Sequence, residues 1–250
     1  MKRENDGRLL TFNNMGAESP DIHPIQQMFL DYVNSQGVDN ALEIGSCFGK
    51  IANIALSRNS TITYIANDAC PDHLAEMNKQ LPVTISKNLR AIPGFFHEIF
   101  DQIPANVEAV LASRVLHFLS PQDLHQTLKG LEKIVAPGGK IFVLTVTPFM
   151  GGYDIDDDYQ KRLSSGDHFP GWFEHPYLYL NNSDVSEAVY SQNLNQAMHF
   201  YTTELFRDFL SDYAFTIDLL KYFPLSYHSD TWSRDGRENL GMILAKSSDL

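Results

Sequence analysis

Cysteine is nearly absent from this 250-residue chain: Cys47 and Cys70 are the only two. That excludes a disulfide scaffold and a closed structural zinc site, which draws on four Cys or His ligands. Bases are scarce as well. Nineteen Lys and Arg stand against 31 Asp and Glu, a formal charge of −12, and broad binding to a nucleic-acid backbone needs clustered Lys and Arg that this balance does not supply. No run approaches about 18 uninterrupted apolar residues, and the start MKRENDGR has no secretory apolar region. Neither a membrane span nor a signal peptide is therefore expected, and the cytoplasm is the default compartment. What is plentiful is apolar side chain, 43% of residues, enough for a full core in one large domain or one domain with an insertion.

From about residue 40, short apolar runs alternate with amphipathic segments, the pattern of an α/β domain with a mostly parallel sheet. Seven strands are predicted, near Ala41–Ile44, Thr61–Ala66, Val83–Lys87, Val107–Ala112, Lys140–Val146, Thr216–Tyr222 and Leu240–Lys246. Ser120-Pro121-Gln122-Asp123 reads as a helix start, Leu124, Leu128, Leu131, Ile134 and Val135 share one face, and Pro137-Gly138-Gly139 is expected to end the helix. A second helix, capped by Thr202 or Thr203, carries Leu205, Phe206, Phe209, Leu210 and Tyr213. Two segments fall outside the alternation. Residues 1–39 hold a helix through Ile25, Met28, Phe29 and Tyr32 after a loose stretch, Asn13–Pro20, and read as an N-terminal cap. Residues 149–200 are too long for a connection and read as an inserted lid between the core segments 40–148 and 201–250. The insertion carries eight acids and two bases, and ten of the 29 aromatics; if its acids face a pocket, they favour a neutral or cationic ligand.

The chemistry concentrates at Ala41-Leu42-Glu43-Ile44-Gly45-Ser46-Cys47-Phe48-Gly49-Lys50, an apolar strand running into a glycine turn and a helix, with Asn67-Asp68 at the tip of the next strand. Glycines let a ligand approach the backbone, and an acid in that place accepts ribose hydroxyls. The spacing Glu-x-Gly-x-x-x-Gly resembles motif I of the class I S-adenosylmethionine-dependent methyltransferases. Asn67-Asp68-Ala69-Cys70-Pro71, Val110–Leu119 and Leu131-Glu132-Lys133-Ile134-Val135-Ala136-Pro137-Gly138-Gly139 are similar to that family's later elements, in the same order.

The resemblance implies a Rossmann-like, seven-stranded, mostly parallel sheet with helices on both faces and an antiparallel last strand. It implies S-adenosylmethionine as cofactor, held by Glu43, Gly45, Ser46, Cys47 and Gly49 in the motif turn, Asp68 on the ribose and Ala69 beside the adenine. Asn88 would meet the adenine amino group, and Ser113 and Arg114 would line the methionine side. One departure stands out: Cys47 occupies the usual middle glycine, where a side chain strains the turn if the backbone must be left-handed.

Other signals have plainer readings. Cys47 reads as a small packed residue, Asp154–Asp158 as a solvated helix start rather than a calcium loop, and no metal site is predicted. His117, after the fourth strand, is the candidate for a catalytic role; His23, His168, Trp172 and Tyr177 are candidates for contacting substrate, although the insertion's aromatics would equally serve as its own core. The expected activity is methyl transfer by in-line displacement to a small-molecule acceptor, with no nucleic-acid or membrane partner and with a homodimer left open. A protein-directed methyltransferase is the nearest variant, and a non-catalytic binding or regulatory module of the same fold is the rival that Cys47 favours. A nicotinamide-dependent oxidoreductase would need a different glycine spacing.

Overall fold

A computed structural model of the protein describes residues 7–35, 37–181, 196–226 and 231–247. It opens on a short hairpin, β1 (Leu9–Leu10) against β2 (Ala17–Glu18), where the sequence suggested a loose stretch. In α1 (Pro24–Val33) the N-cap is His23, whose Nδ1 accepts the Ile25 amide while Gln26 reaches back to the His23 amide. Ile25, Phe29, Leu30 and Val33 form its buried stripe. There follow β3 (Asn40–Ile44), α2 (Lys50–Arg58), β4 (Thr63–Asp68), α3 (Pro71–Gln80), α4 (Val83–Ser86), β5 (Leu89–Pro93), α5 (Phe96–Ile99), β6 (Val107–Ser113), α6 (Pro121–Ile134) and β7 (Val135–Val146). The insertion contributes α7 (Asp156–Ser164), β8 (Trp172–Phe173) and β9 (Met198–His199), and the chain closes with α8 (Thr203–Leu210), β10 (Phe215–Phe223) and β11 (Asn239–Lys246).

Seven strands form one sheet in the order β10-β11-β7-β6-β3-β4-β5. β11 runs antiparallel to both β7 and β10, and the other pairings are parallel. This is the Rossmann-like sheet expected from the sequence. Alternate residues of the central strands feed two cores. Ala41, Tyr64, Ala66, Leu111 and Phe142 pack with α1, α2 and α3 on one face, and Leu42, Ile65, Val110, Ile141 and Val143 pack with α5, α6 and α8 on the other.

Two expectations need correction. The segment Val83–Lys87 is not a strand: the amides of Ile85 and Ser86 both bond to the Pro82 carbonyl and close a single helical turn, α4, while the third strand in sequence lies later, at Leu89–Pro93. Of the β-branched residues that suggested a strand only Ile85 packs on the core, Val83 being 87% exposed, and a single apolar contact does not demand an extended chain. α6 stops at Ile134, so Pro137-Gly138-Gly139 lies inside the start of β7 rather than in a separate turn.

The insertion has a core of its own: Val146, Met150, Tyr153, Ile155, Tyr159, Phe173, Leu180, Met198, Phe200, Leu205 and Leu225 bury one another beside the sheet. Asp156, Asp157 and Asp158 sit in the first turn of α7, where negative charge suits the helix dipole.

Candidate active site

In open α/β sheets the carboxyl ends of the parallel strands, where the strand order reverses, form a crevice. Here a cavity of about 650 Å³ opens over the ends of β3, β4 and β6. Gly45 and Gly49 line or frame its floor with φ of +72° and +77°. Neither could carry a side chain, since a Cβ would run into Val115 at Gly45 and into Met77 at Gly49. Between them Cys47 also takes a left-handed backbone, φ +49°, which costs a non-glycine residue about 1–2 kcal/mol. The turn holds because the Cys47 amide donates to Asp68 Oδ2 at 2.8 Å and Gly49 N donates to Ser46 O at 2.9 Å. Burial, together with the Glu18 and Asp68 charges, pushes the Cys47 thiol well up and keeps it protonated.

Asp68 is buried at the tip of β4. Its Oδ1 accepts from Cys70 N at 2.8 Å and lies 2.9 Å from His73 Nδ1. With only the Cys47 amide on Oδ2, a carboxylate's four acceptor directions leave room there for a hydroxyl. Glu43 lies beneath, fully buried, taking the Tyr64 hydroxyl at 2.8 Å. Burial pushes its carboxyl up to about 8 against the opposing Tyr64 bond, and Glu18 and Asp68 push the same way. Glu43 therefore holds a proton at neutral pH, and a cation brought against it would draw that proton off.

Ser46, Cys47, Ala69, Ser113, Arg114 and His117 line the same cavity. Gln26 of α1 donates to Ser113 Oγ at 3.1 Å. His117 sits in a 3-10 turn, Leu116–Phe118, with its Nδ1 buried and unpartnered. Burial first, and the Arg114 charge second, lower its pKa to about 3. The same two causes, in the same order, lower His23 to about 4. Both rings are thus neutral at neutral pH.

Four candidates are not brought to this cavity. Asn88 precedes β5 and is half-buried at the amino-terminal edge of the parallel strands, where its side chain bonds to the Ser60 carbonyl. The carboxyl end of β5 delivers Gly94, Phe95 and Phe96 to the cavity instead, positioned by Asn67, whose amide donates to the carbonyls of Ile92 and Gly94 at 2.9 Å each. His168 is exposed. Trp172 pairs with His199 through β8 and β9, its ring 5.9 Å from the imidazole, and Tyr177 packs on the insertion's own core. The insertion's described acids also stay out of the lining. Asp156 meets Arg234 at 2.9 Å, and Asp158 takes the Tyr179 hydroxyl at 2.7 Å.

The far wall comes from residues the sequence reading did not single out. Met150, Tyr153 and Met198 project from the insertion, Thr231 and Trp232 from the loop between β10 and β11, and Arg8, Thr11, Met15 and Glu18 from the N-terminal hairpin. The loop is organised by Glu238, which is buried and accepts the amides of Arg234, Asp235 and Gly236 at 2.7–2.9 Å. A tryptophan in the polar run Thr231-Trp232-Ser233-Arg234-Asp235-Gly236 was the available signal. Among the described residues no three His, Cys, Asp or Glu side chains gather as a metal site, and no helix is long and apolar enough to cross a membrane.

Glycine positions that exclude a Cβ, an acid with acceptor capacity turned to the cavity, and the buried, unpartnered Ser46 hydroxyl together fit a nucleoside carrying an amino-acid tail. Residues 42–143 match the family model of the methyltransferase domain. The fold is shared with solved structures of low identity. An S-adenosylmethionine-dependent methyltransferase from Methanosarcina mazei gives a TM-score of 0.58 at 16% identity, over 91% of this chain and 99% of that one. One from Mesorhizobium loti gives 0.57 at 13%, over 89% and 98%. The Burkholderia thailandensis 1,6-didemethyltoxoflavin N1-methyltransferase, with its substrate and S-adenosylhomocysteine bound, gives 0.58 at 13%, over 90% and 77%. No curated protein matches the sequence. The chain therefore carries a methyltransferase domain over residues 42–143, on a fold shared with S-adenosylmethionine-dependent methyltransferases. Its cofactor is S-adenosylmethionine, and it is an enzyme of methyl transfer.

Proposed function

We propose that this enzyme methylates a small, largely apolar molecule, seated between the motif turn and the wall of Met150, Tyr153, Met198 and Trp232. The observation that carries the reading is that one continuous cavity joins the two, at a size typical of small-molecule sites, about 300–1,000 Å³. The Burkholderia enzyme, whose name gives a small heterocyclic acceptor, supports it by analogy of fold. The described acids of the insertion lie outside the cavity lining, so the insertion's charge is no argument for a cationic acceptor.

In this reading Asp68 takes the ribose hydroxyls, the Gly45–Gly49 turn and Ala69 lie against the nucleoside, and Glu43, Ser46, Ser113 and Arg114 surround the amino-acid tail. The cofactor supplies an activated methyl group, so the protein's tasks are alignment and exclusion of water. His117 is the residue we assign to the acceptor: a neutral ring can take a hydrogen bond from a hydroxyl or amine and so orient its lone pair toward the methyl. His23 is assigned to the same end of the site. The segments 1–39 and 149–200 act as covers on the core 40–148 and 201–250, in a cytoplasmic enzyme without nucleic-acid or membrane partners.

The test is S-adenosylhomocysteine formation from S-adenosylmethionine with cell extract split into small-molecule and macromolecular fractions. Turnover is expected with the small-molecule fraction. Turnover with the macromolecular fraction alone would replace this reading with the protein-directed one.

A further inference from the structure

The N-terminal hairpin lies along the motif end of the cavity, and one imidazole joins it to Asp68. His73, on α3, is 2% exposed. Its Nε2 accepts the Phe12 amide at 2.9 Å, and its Nδ1 lies 2.9 Å from Asp68 Oδ1. A backbone amide can only donate, so Nε2 is the bare nitrogen and the ring proton sits on Nδ1, directed at the carboxylate. Asp68 in turn holds the amides of Cys47 and Cys70. The hairpin is thus wired through His73 to the acid and through the acid to the left-handed residue of the motif turn. Aromatic packing reinforces the wire: the Phe12 ring meets Phe48 edge-on at 5.0 Å and lies 5.6 Å from the His73 ring. Lys50, at the start of α2, anchors the hairpin's other end by donating to the carbonyls of Ser19 and Asp21 at 2.7 and 2.6 Å.

We propose that His73 is a positioning residue that makes seating of the hairpin and binding of the cofactor's ribose a single coupled event. This rests on the assignment of the ribose to Asp68. A seated hairpin fixes the His73 tautomer, the tautomer commits Oδ1, and Oδ2 is left to face the cavity. By linkage, whatever affinity the ribose gains from the seated hairpin, the hairpin gains in closure from the ribose.

Two readouts test this: calorimetric affinity for S-adenosylhomocysteine, and trypsin cleavage after Arg8, just ahead of β1. In the parent protein S-adenosylhomocysteine should slow that cleavage. His73→Leu should weaken binding about tenfold, the scale of one lost hydrogen bond to a charged group, and abolish the protection. His73→Gln, which offers a donor and an acceptor, should restore both. Should His73→Leu fail to fold, a second pair carries the test. Phe12 is the second residue of the turn Thr11–Asn14, closed by the Asn14 amide on Thr11 O at 3.2 Å, a place that accepts proline. Phe12→Ala and Phe12→Pro both lose the ring, and only the proline loses the N–H, so Phe12→Pro should bind several-fold more weakly than Phe12→Ala. Equal affinities for that pair, or a weakened His73→Leu that keeps full protection of Arg8, overturn the coupling. Unchanged affinity in Asp68→Ala overturns the ribose assignment and the coupling together.

Discussion

Around Gly45–Gly49 the cavity is walled by main chain, whereas around Tyr153 and Trp232 it is walled by side chains gathered from distant segments. The first wall is dictated by backbone geometry: two glycines that exclude a Cβ, a strained Cys47 and an acid that accepts its amide leave little freedom. The second requires a packed insertion with its own core and a loop folded around Glu238. A backbone-built site tolerates few residues and so advertises itself in sequence. A side-chain wall admits many solutions and does not.

Substitutions that attack one wall and spare the other test this contrast. The largest effect is expected at Gly49→Ala, where the left-handed backbone and the collision with Met77 together cost about 4 kcal/mol, read as a lowered denaturant midpoint with S-adenosylhomocysteine binding lost. Glu43→Gln should act through pH. A buried carboxyl raised to about 8 binds its proton more tightly folded than unfolded, so the parent loses stability as pH rises from about 4.5 to about 8, on the order of 5 kcal/mol in all. The glutamine variant should lack that loss, and parallel melting curves of the two proteins at pH 5 and pH 8 would refute it. Asp68→Ala should weaken S-adenosylhomocysteine about 100-fold by calorimetry, because three donors lose their acceptor along with the ribose. Trp232→Ala should raise the acceptor KM about tenfold while S-adenosylhomocysteine affinity stays within about twofold; a larger change in cofactor affinity would erase the distinction between the walls. Asn88→Ala should leave that affinity unchanged, since Asn88 lies at the opposite edge of the sheet.

The same contrast governs what could be read from the sequence. The order of strands and helices, the glycine turn and Asp68 follow from local rules, namely alternation of apolar runs, a cap at Ser120 and a turn that needs glycine, while Ser113 and Arg114 came from the family resemblance. Asn88 was misplaced because the β-branched run Val83-Thr84-Ile85 resembles a strand, and only the pairing of the Pro82 carbonyl with two amides makes it a helical turn. His168, Trp172 and Tyr177 were drawn to the pocket by composition, yet an insertion of this size must first bury aromatics for its own stability. Trp232 and the Phe12–His73 bond were missed for a related reason: each joins parts of the chain that no local window contains, whereas Glu238 gathers the amides of Arg234, Asp235 and Gly236, two to four residues away, in a loop with no regular pattern.

The position of β11 between β7 and β10 has a consequence for how the molecule is made. The apolar edge of β7, Ile141 through Leu144, is covered only when β11 pairs with it, and β11 lies almost a hundred residues further along the chain. During synthesis the nucleotide-binding half can therefore be assembled while β7, its outermost strand at that stage, still presents an open edge, the kind of surface that templates pairing with other chains. A chain released at Phe223 is expected to be captured by chaperones or to aggregate, and one released after Lys246 to remain dispersed, as ribosome-display truncations followed by sedimentation would show.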